Sequence, residues 1–156
     1  MIEFIHRPAT VADAPRVADL MLLSRKTFLS YLPSPRAEEE VRRWIAGVLI
    51  PRGGVNLAES NDGELLGVMA ISFDGERSWV EQLFIAPHMV GQGIGSSLLE
   101  LALAHLQPPV RLYTFQSNVR ARRFYEKHGF QAIQFTDGEA NEEHWPDVMY
   151  EWRGNV

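Results

Sequence analysis

Apolar residues recur along this chain with two spacings, one near every second position and one near every third or fourth, and the changes between them mark its elements. Ile2 to Arg7 has strand-like residues and stops at Pro8. Thr10 with Asp13 three residues on resembles a capping box, and Val17, Leu20, Met21, Ser24 and Phe28 follow at helical spacing. Tyr31-Leu32-Pro33-Ser34-Pro35 breaks that helix, and Arg36 to Val48 resumes one with Val41, Trp44, Ile45 and Val48 on a face. Three strands are predicted next, over Val55–Glu59, Leu65–Phe73 and Trp79–Ile85, separated by turns at Asn61-Asp62-Gly63 and Asp74-Gly75. A helix over Gly91–Gln107 carries Ile94, Leu98, Leu101 and Ala102 inward, and Val110–Phe115 is a strand. Asn118 caps a helix running to His128 and stopped by Gly129. Phe130–Phe135 and Val148–Trp152 close the chain as strands.

The order is strand, two helices, three strands, helix, strand, helix, two strands. The meander predicts antiparallel pairing, and the strand-helix-strand unit from Trp79 to Phe115 predicts a parallel crossover. The expected fold is α/β of the α+β type, a single mixed, mostly antiparallel twisted sheet flanked by helices. With no internal repeat or long linker, residues 1–156 read as one domain.

Composition narrows the function. A hydrophobic share of 46% and a charged share of 22% are those of a globular domain, which excludes disorder. No apolar run nears the roughly 20 residues of a membrane span, and the start of the chain lacks the basic-then-apolar pattern of a secretory signal, so a cytoplasmic, non-membrane protein is expected. Without cysteine there is no thiolate zinc site and no cysteine nucleophile. The net charge of −5 argues against nucleic acid as a partner. Locally, however, Arg111, Arg120, Arg122, Arg123 and Lys127 stand against the single acid Glu126, a segment suited to a small anionic ligand or to a solvated helix face.

The stretch from Leu83 to Ser97 carries the most chemistry. A strand ends and Gly91, Gly93 and Gly95, at alternate positions, lead into an apolar helix. That spacing removes side chains where backbone N–H groups must approach phosphate oxygens, and the helix adds its free N–H groups and positive dipole end. A P-loop would need Lys-Ser/Thr after its last glycine, where Ser96-Ser97 stands. A dinucleotide fingerprint would need G-x-G-x-x-G near the first strand.

In this stretch the sequence resembles the GNAT superfamily of acetyl-CoA-dependent N-acetyltransferases. Ile85-Ala86-Pro87 matches the family's V-x-P strand end, and Val90-Gly91-Gln92-Gly93-Ile94-Gly95 matches its R/Q-x-x-G-x-G/A loop with one departure, Val90, where the family carries Arg or Gln. A second signature, N-x-x-A-x-x-F-Y-x-x-x-G-F, matches without gaps at Asn118, Ala121, Phe124, Tyr125, Gly129 and Phe130. The resemblance implies acetyl-CoA as co-substrate and a small-molecule amine or peptide as acceptor, with no metal; a homodimer is compatible with it. It implies a pyrophosphate cradle from the backbone of Val90, Gly91, Gln92, Gly93, Ile94 and Gly95, with Ser96 in the first turn, Phe84 and Ile85 at the strand end, and Asn118 and Arg123 on the following helix as further cofactor contacts. Arg122 shares with Arg123 the expectation of reaching the adenosine phosphate.

Acetyl transfer needs a deprotonated amine, donors for the oxyanion and a proton for the leaving thiolate. The resemblance makes Tyr125 the acid, against the alternative of a core tyrosine. Period-two alternation puts Trp79, Glu81, Leu83 and Ile85 on one strand face, where apolar neighbours would desolvate Glu81 and suit it to act as base; the alternative is a structural glutamate. In this fold the strand often carries a bulge that splays it from Val110–Phe115, which can shift that facing, and the oxyanion donor would be a backbone N–H near Phe84. Phe28, Tyr31 and Trp44 fall in the helical region that forms the acceptor side in relatives. Glu142, Glu143, His144 and Asp147 are the one cluster resembling a metal site, but they lack helical ligand spacing and read as a solvated loop. His6, His88, His105 and His128 have no evident partners, and no nucleophile-elbow sequence supports Ser-His-Asp chemistry. The expected activity is transfer of acetyl to a primary amine by direct attack in a ternary complex. Its rivals are a catalytically inactive acyl-CoA-binding sensor and a nucleotide-phosphate enzyme.

Overall fold

The computed structural model describes residues 2–154; Met1, Asn155 and Val156, which the single-domain expectation includes, lie outside the described residues. Seven strands form one sheet: β1 (Phe4–Pro8), β2 (Val55–Ser60), β3 (Leu65–Phe73), β4 (Ser78–Ile85), β5 (Val110–Phe115), β6 (Gln131–Phe135) and β7 (Asp147–Trp152). They are ordered β1-β2-β3-β4-β5-β7-β6. Every neighbouring pair is antiparallel except β4 and β5, which run parallel, as a crossover connection requires. Four α-helices cover the sheet: α1 (Ala14–Phe28), α2 (Glu38–Trp44), α3 (Ile94–His105) and α4 (Val119–Lys127). The expected mixed, mostly antiparallel sheet flanked by helices is the fold observed.

Two apolar cores lie on opposite faces. On one, Val17, Leu20 and Met21 of α1 pack with Ile45 and Leu49 onto Leu57, Val68 and Ala70 of the sheet. On the other, Ile94, Leu98 and Leu99 of α3 pack with Tyr125 and Phe130 onto Met69, Leu112 and Tyr150. Gly67 on β3 permits the close seating of α3, because a Cβ there would lie 3.0–3.1 Å from Ile85, Ile94 and Leu98.

Three expectations about facing are corrected. α2 passes into a π-helical turn at Ile45–Leu49, so Ile45 and Leu49 are buried while Val48 faces solvent. In α3 it is Leu99, not Leu101, that joins the core, and the helix begins at Ile94 rather than Gly91, since Gly91 and Gly93 hold left-handed φ values of 80° and 82°. The third correction, on β4, bears on the site.

At the other end of the sheet Asp13 ties β1, α1 and β2 together. Its carboxylate accepts from Thr10 N–H at 2.8 Å, completing the capping box, and pairs with Arg7 at 2.7 Å and Arg16 at 2.8 Å; both arginines also pair with Glu59.

Candidate active site

The glycine loop ends β4 and opens α3. Pro87–Met89 makes one 3-10 turn, Val90 is extended, and Gly93 caps the helix in the left-handed region. A Cβ at Gly91 or Gly93 would meet nothing within 4 Å, so glycine is required there by φ and the loop backbone stays open to solvent on that side. Ser97 N–H makes the first helical bond, to the Gly93 carbonyl at 3.0 Å, and the cap residue has no side chain to satisfy the N–H groups ahead of it. Free donors at the positive end of a helix, reached over an open glycine backbone, fit a pyrophosphate group.

The two sequence motifs meet in space. A Cβ at Gly95 would lie 3.4 Å from the Phe124 ring, so glycine in the first turn of α3 lets α4 close against it. Asn118 caps α4, its Oδ1 accepting from Ala121 N–H at 3.2 Å, and the cap role leaves its amide nitrogen free for a second contact. Arg123 next to Phe124 is exposed and makes no ion pair or hydrogen bond among the described residues. Arg122 does not accompany it. Its guanidinium donates to the Tyr150 hydroxyl at 3.1 Å and the Gln116 carbonyl at 3.2 Å, and lies over the Phe135 ring. It therefore holds α4 to the sheet and is not free for a phosphate.

Tyr125 points into the core on the α3 side, with its ring edge-on to Phe124 at 5.3 Å and to Phe130 at 5.8 Å. Burial pushes its phenol above the ordinary tyrosine range, and its hydroxyl has no hydrogen-bond partner among the described residues. It stays protonated at neutral pH.

Between α4 and the meander the sheet parts. β4 and β5 pair only at Ser78–Val110 and Trp79–Arg111, which leaves an internal edge of unpaired backbone groups on β4 from Val80 to Ile85, including the amides near Phe84. A bulge sits at the same place: Ala70 opposes Gln82 and Ile71 opposes Val80, so Glu81 is the extra residue. The bulge changes the facing expected from alternation. Val80, Leu83 and Ile85 join the α3 core, while Glu81 turns away from them into a cleft on the α1–α2 face. Glu81 is therefore not desolvated by Leu83 and Ile85; it is exposed and forms an ion pair with Arg52.

That cleft has a volume of about 490 Å³ and is walled by Trp44, Trp79, Tyr113, Asp74, Arg52 and Gln82 around Glu81. Trp79 and Tyr113 stack at 5.8 Å with their planes 7° apart, and the Arg52 guanidinium lies 5.8 Å over the Trp44 ring. Asp74 is held at a pKa of about 2 by N–H donors from the Arg77 backbone, the Trp79 indole and the Glu76 backbone, so its oxygens are already engaged. Of the three aromatics expected on the acceptor side, Trp44 lines this cleft. Tyr31 instead bonds Ser117 at 2.8 Å and packs on Trp145, and Phe28 lies under Arg120. Arg52, Asp74, Gln82 and Tyr113 carry no sequence motif. They meet only because β4 and β5 pair where they do.

The acidic loop after β6 is tied down by ion pairs. Glu142 pairs with Arg36 at 2.6 Å, Glu143 with Arg25 at 3.1 Å, and Asp147 binds Thr136 and Asn141. Among the described residues no group of three or more His, Asp or Glu converges as metal ligands. The four histidines expected to lack partners each have one: His6 with Ser97 at 2.9 Å, His88 with Glu64 at 2.7 Å, and His105 and His128 with helix carbonyls. No helix among the described residues is long and apolar enough to cross a membrane.

Comparison with known proteins bears on the family and the fold. The model of the acetyltransferase (GNAT) family matches residues 19–130. The chain is 33% identical over 60 residues to a probable spermine N(1)-acetyltransferase of Bacillus subtilis subsp. natto, covering 35% of this chain and 40% of that protein. It is 32% identical over 78 residues to the peptidyl-lysine N-acetyltransferase YiaC of Escherichia coli, covering 50% and 51%. The matched region thus spans about half the length, or less, of these curated relatives. The apo-form YjaB of Escherichia coli, solved in solution, superposes with a TM-score of 0.78 at 19% identity over 99% of this chain and 100% of that one.

Proposed function

The chain belongs to the acetyltransferase (GNAT) family, and on that premise we propose that it acetylates a primary amine by direct attack on acetyl-CoA within a ternary complex. The observation that carries this reading is the splay of β4 from β5 between two prepared faces. On one side lie the open N–H groups of the Gly91–Gly95 cradle and the hydroxyl of Tyr125, which has no hydrogen-bond partner among the described residues. On the other, the Glu81 carboxylate faces an aromatic cleft.

Acetyl-CoA, when bound, supplies a thioester whose carbon–sulfur bond is exchanged for a carbon–nitrogen bond; of the acceptor ammonium's three protons, one remains on the amide, one leaves for solvent and one is matched by a proton reaching sulfur. The chain's residues divide that work. The N–H groups at the α3 terminus hold the pyrophosphate charge, with the Asn118 amide and Arg123 as supporting contacts. Backbone N–H groups on the unpaired edge of β4 near Phe84 face the developing oxyanion. Glu81 takes a proton from the acceptor amine, and Tyr125 gives one to sulfur.

The ligand half of this reading is tested by melting. At about ten times its dissociation constant, acetyl-CoA should stabilise the fold by roughly 1.4 kcal/mol, a rise of about 3–6 °C for a domain of this size. No rise at millimolar concentration sinks the assignment. The catalytic half is tested by release of coenzyme A across a panel of amines. Binding without release for any amine favours the acyl-CoA sensor.

Glu81→Gln should lower the rate about tenfold near neutral pH, less than the roughly 10²–10⁴-fold typical of a general base, because Glu81 is exposed and water can take over part of its role. The deficit should shrink as rising pH deprotonates the amine in solution, because a base is then no longer needed. A deficit equal at every point between pH 6 and 10 would make Glu81 structural.

A further inference from the structure

The acceptor cleft carries a charge pattern that the acetyltransferase reading leaves unused. Cationic amines bind well where aromatic faces stand beside free carboxylates. Here neither is free. The cation–π position over Trp44 is held by Arg52, the same guanidinium pairs with Glu81, and Asp74 is engaged by three N–H donors. A polycation entering this cleft would have to displace a fixed positive charge and would find no second free carboxylate. A monoamine without a carboxylate that took Glu81 as its partner would leave Arg52 without one.

One class of ligand reproduces what is already there. In a zwitterion with adjacent ammonium and carboxylate, the carboxylate replaces Glu81 as the partner of Arg52 and the ammonium replaces Arg52 as the partner of Glu81. The exchange keeps every charge paired, so its desolvation cost is offset. It also places the acceptor nitrogen on the one carboxylate that the bulge of β4 turns into the cleft. The remaining walls are the stacked Trp79–Tyr113 pair and the Trp44 ring, an apolar lining for a flat or bulky side chain. Gln82, whose amide has no hydrogen-bond partner among the described residues, is the further polar group at the rim.

We propose that the acceptor is a free α-amino acid with a large apolar side chain, held by Arg52 through its carboxylate and by Glu81 through its amine. This rests on the acetyltransferase reading, and it makes Arg52 a specificity-determining residue. It also links specificity to proton transfer: an acceptor with a carboxylate releases Glu81 from Arg52, and Glu81 then takes the ammonium proton as the amine becomes nucleophilic.

The test compares L-phenylalanine with phenethylamine, which lacks only the carboxylate, and with spermidine and a lysine-containing peptide. Coenzyme A release is measured on the acetyl-CoA-saturated protein and calorimetric binding on the coenzyme A complex. Wild type is expected to favour phenylalanine over phenethylamine by about 10–100-fold in kcat/KM, the range of one charge-assisted hydrogen-bonded contact. Arg52→Gln should abolish that ratio. Arg52→Lys, which keeps the charge but not the two-pronged geometry, should fall between. Calorimetry should show phenylalanine binding weakened by a similar factor in Arg52→Gln, independently of turnover. A ratio unchanged by Arg52→Gln, or a wild-type preference for spermidine or the peptide, overturns the amino-acid assignment and leaves the acetyltransferase reading standing. Phenylalanine binding that depends on Arg52, without coenzyme A release for any amine, supports the clamp and removes the acetyltransferase reading instead. Neither binding nor release overturns both.

Discussion

Tyr125→Phe is expected to lower turnover about 10²-fold, the low end for loss of a general acid, with acetyl-CoA affinity and melting temperature close to wild type. The ring is what packs: its edge-on contacts with Phe124 and Phe130 and its place beside Tyr150 are all available to phenylalanine. The hydroxyl makes no hydrogen bond among the described residues, so removing it orphans no donor or acceptor, and stability should hold or rise slightly. Burial has a second consequence. It raises the phenol, but a thiolate generated in the same surroundings is raised by the same cause, so burial of both leaves the balance between phenol and thiol unchanged. Because the folded-state phenol lies above its ordinary value, Tyr125 keeps its proton throughout pH 6–9, and the deficit of the mutant should be one constant factor over that range. Single-turnover rates at several pH values measure it. Wild-type turnover in the mutant, or a deficit confined to one end of the range, would remove Tyr125 from the acid role.

Much of this site is legible in the sequence because its parts are local. The Gly91–Gly95 spacing, the Asn118 cap and the Gly129 stop each act within one turn of backbone, and the structure finds Gly93 at the α3 cap, Asn118 bonded to Ala121 and Gly129 at a φ of 91°. Facing across long distances is not local. Whether Glu81 looks toward Leu83 or away from it depends on the residue count in β3 as well as β4, since a bulge is a mismatch between two strands. A single inserted residue reverses every side chain beyond it. The π turn after Trp44 acts similarly on α2: it sends Val48 outward and brings Leu49 in, through a hydrogen-bond shift that apolar spacing does not encode. Arg122 and Arg123 are adjacent in a basic run and equivalent by composition. The arrival of Tyr150 from β7, with the Gln116 carbonyl and the Phe135 ring, separates the arginine that braces α4 from the one left free. The same reason hides the cleft around Glu81, whose residues come from α2, the segment after it, β3, the β3–β4 turn, β4 and β5.

The far end of the molecule carries the largest expected effect on stability. Asp13→Ala should destabilise the fold by about 3 kcal/mol, the lower end for breaking a buried ion pair, because the arginines it leaves behind keep Glu59 and some solvent. Asp13 is 4% exposed and accepts from two guanidinium groups and the Thr10 backbone, so its loss unties β1 and the start of α1 at once. Its pH dependence identifies the carboxylate as the cause. The Arg7 guanidinium, ahead of the Thr10 and Arg16 donors, holds the Asp13 carboxyl far below the usual carboxylate range, against the opposing effect of burial. A folded-state pKa below the unfolded value of about 3.9 means that the contribution is fully present above roughly pH 5 and declines as acid protonates the unfolded chain. At pH 3 it should have fallen by about 1.3 kcal/mol. Urea unfolding of wild type and mutant at pH 7, 5 and 3 should therefore give the same gap at the first two values and a smaller one at the third. Asp13→Asn, which keeps the shape and the Thr10 contact but not the charge, should retain part of the stability, and its difference from Asp13→Ala should be the same at all three pH values because neither variant carries the titrating carboxylate. A gap that stayed constant down to pH 3 would place the cost of Asp13→Ala in the helix start alone, and not in the two arginines that join β1, α1 and β2.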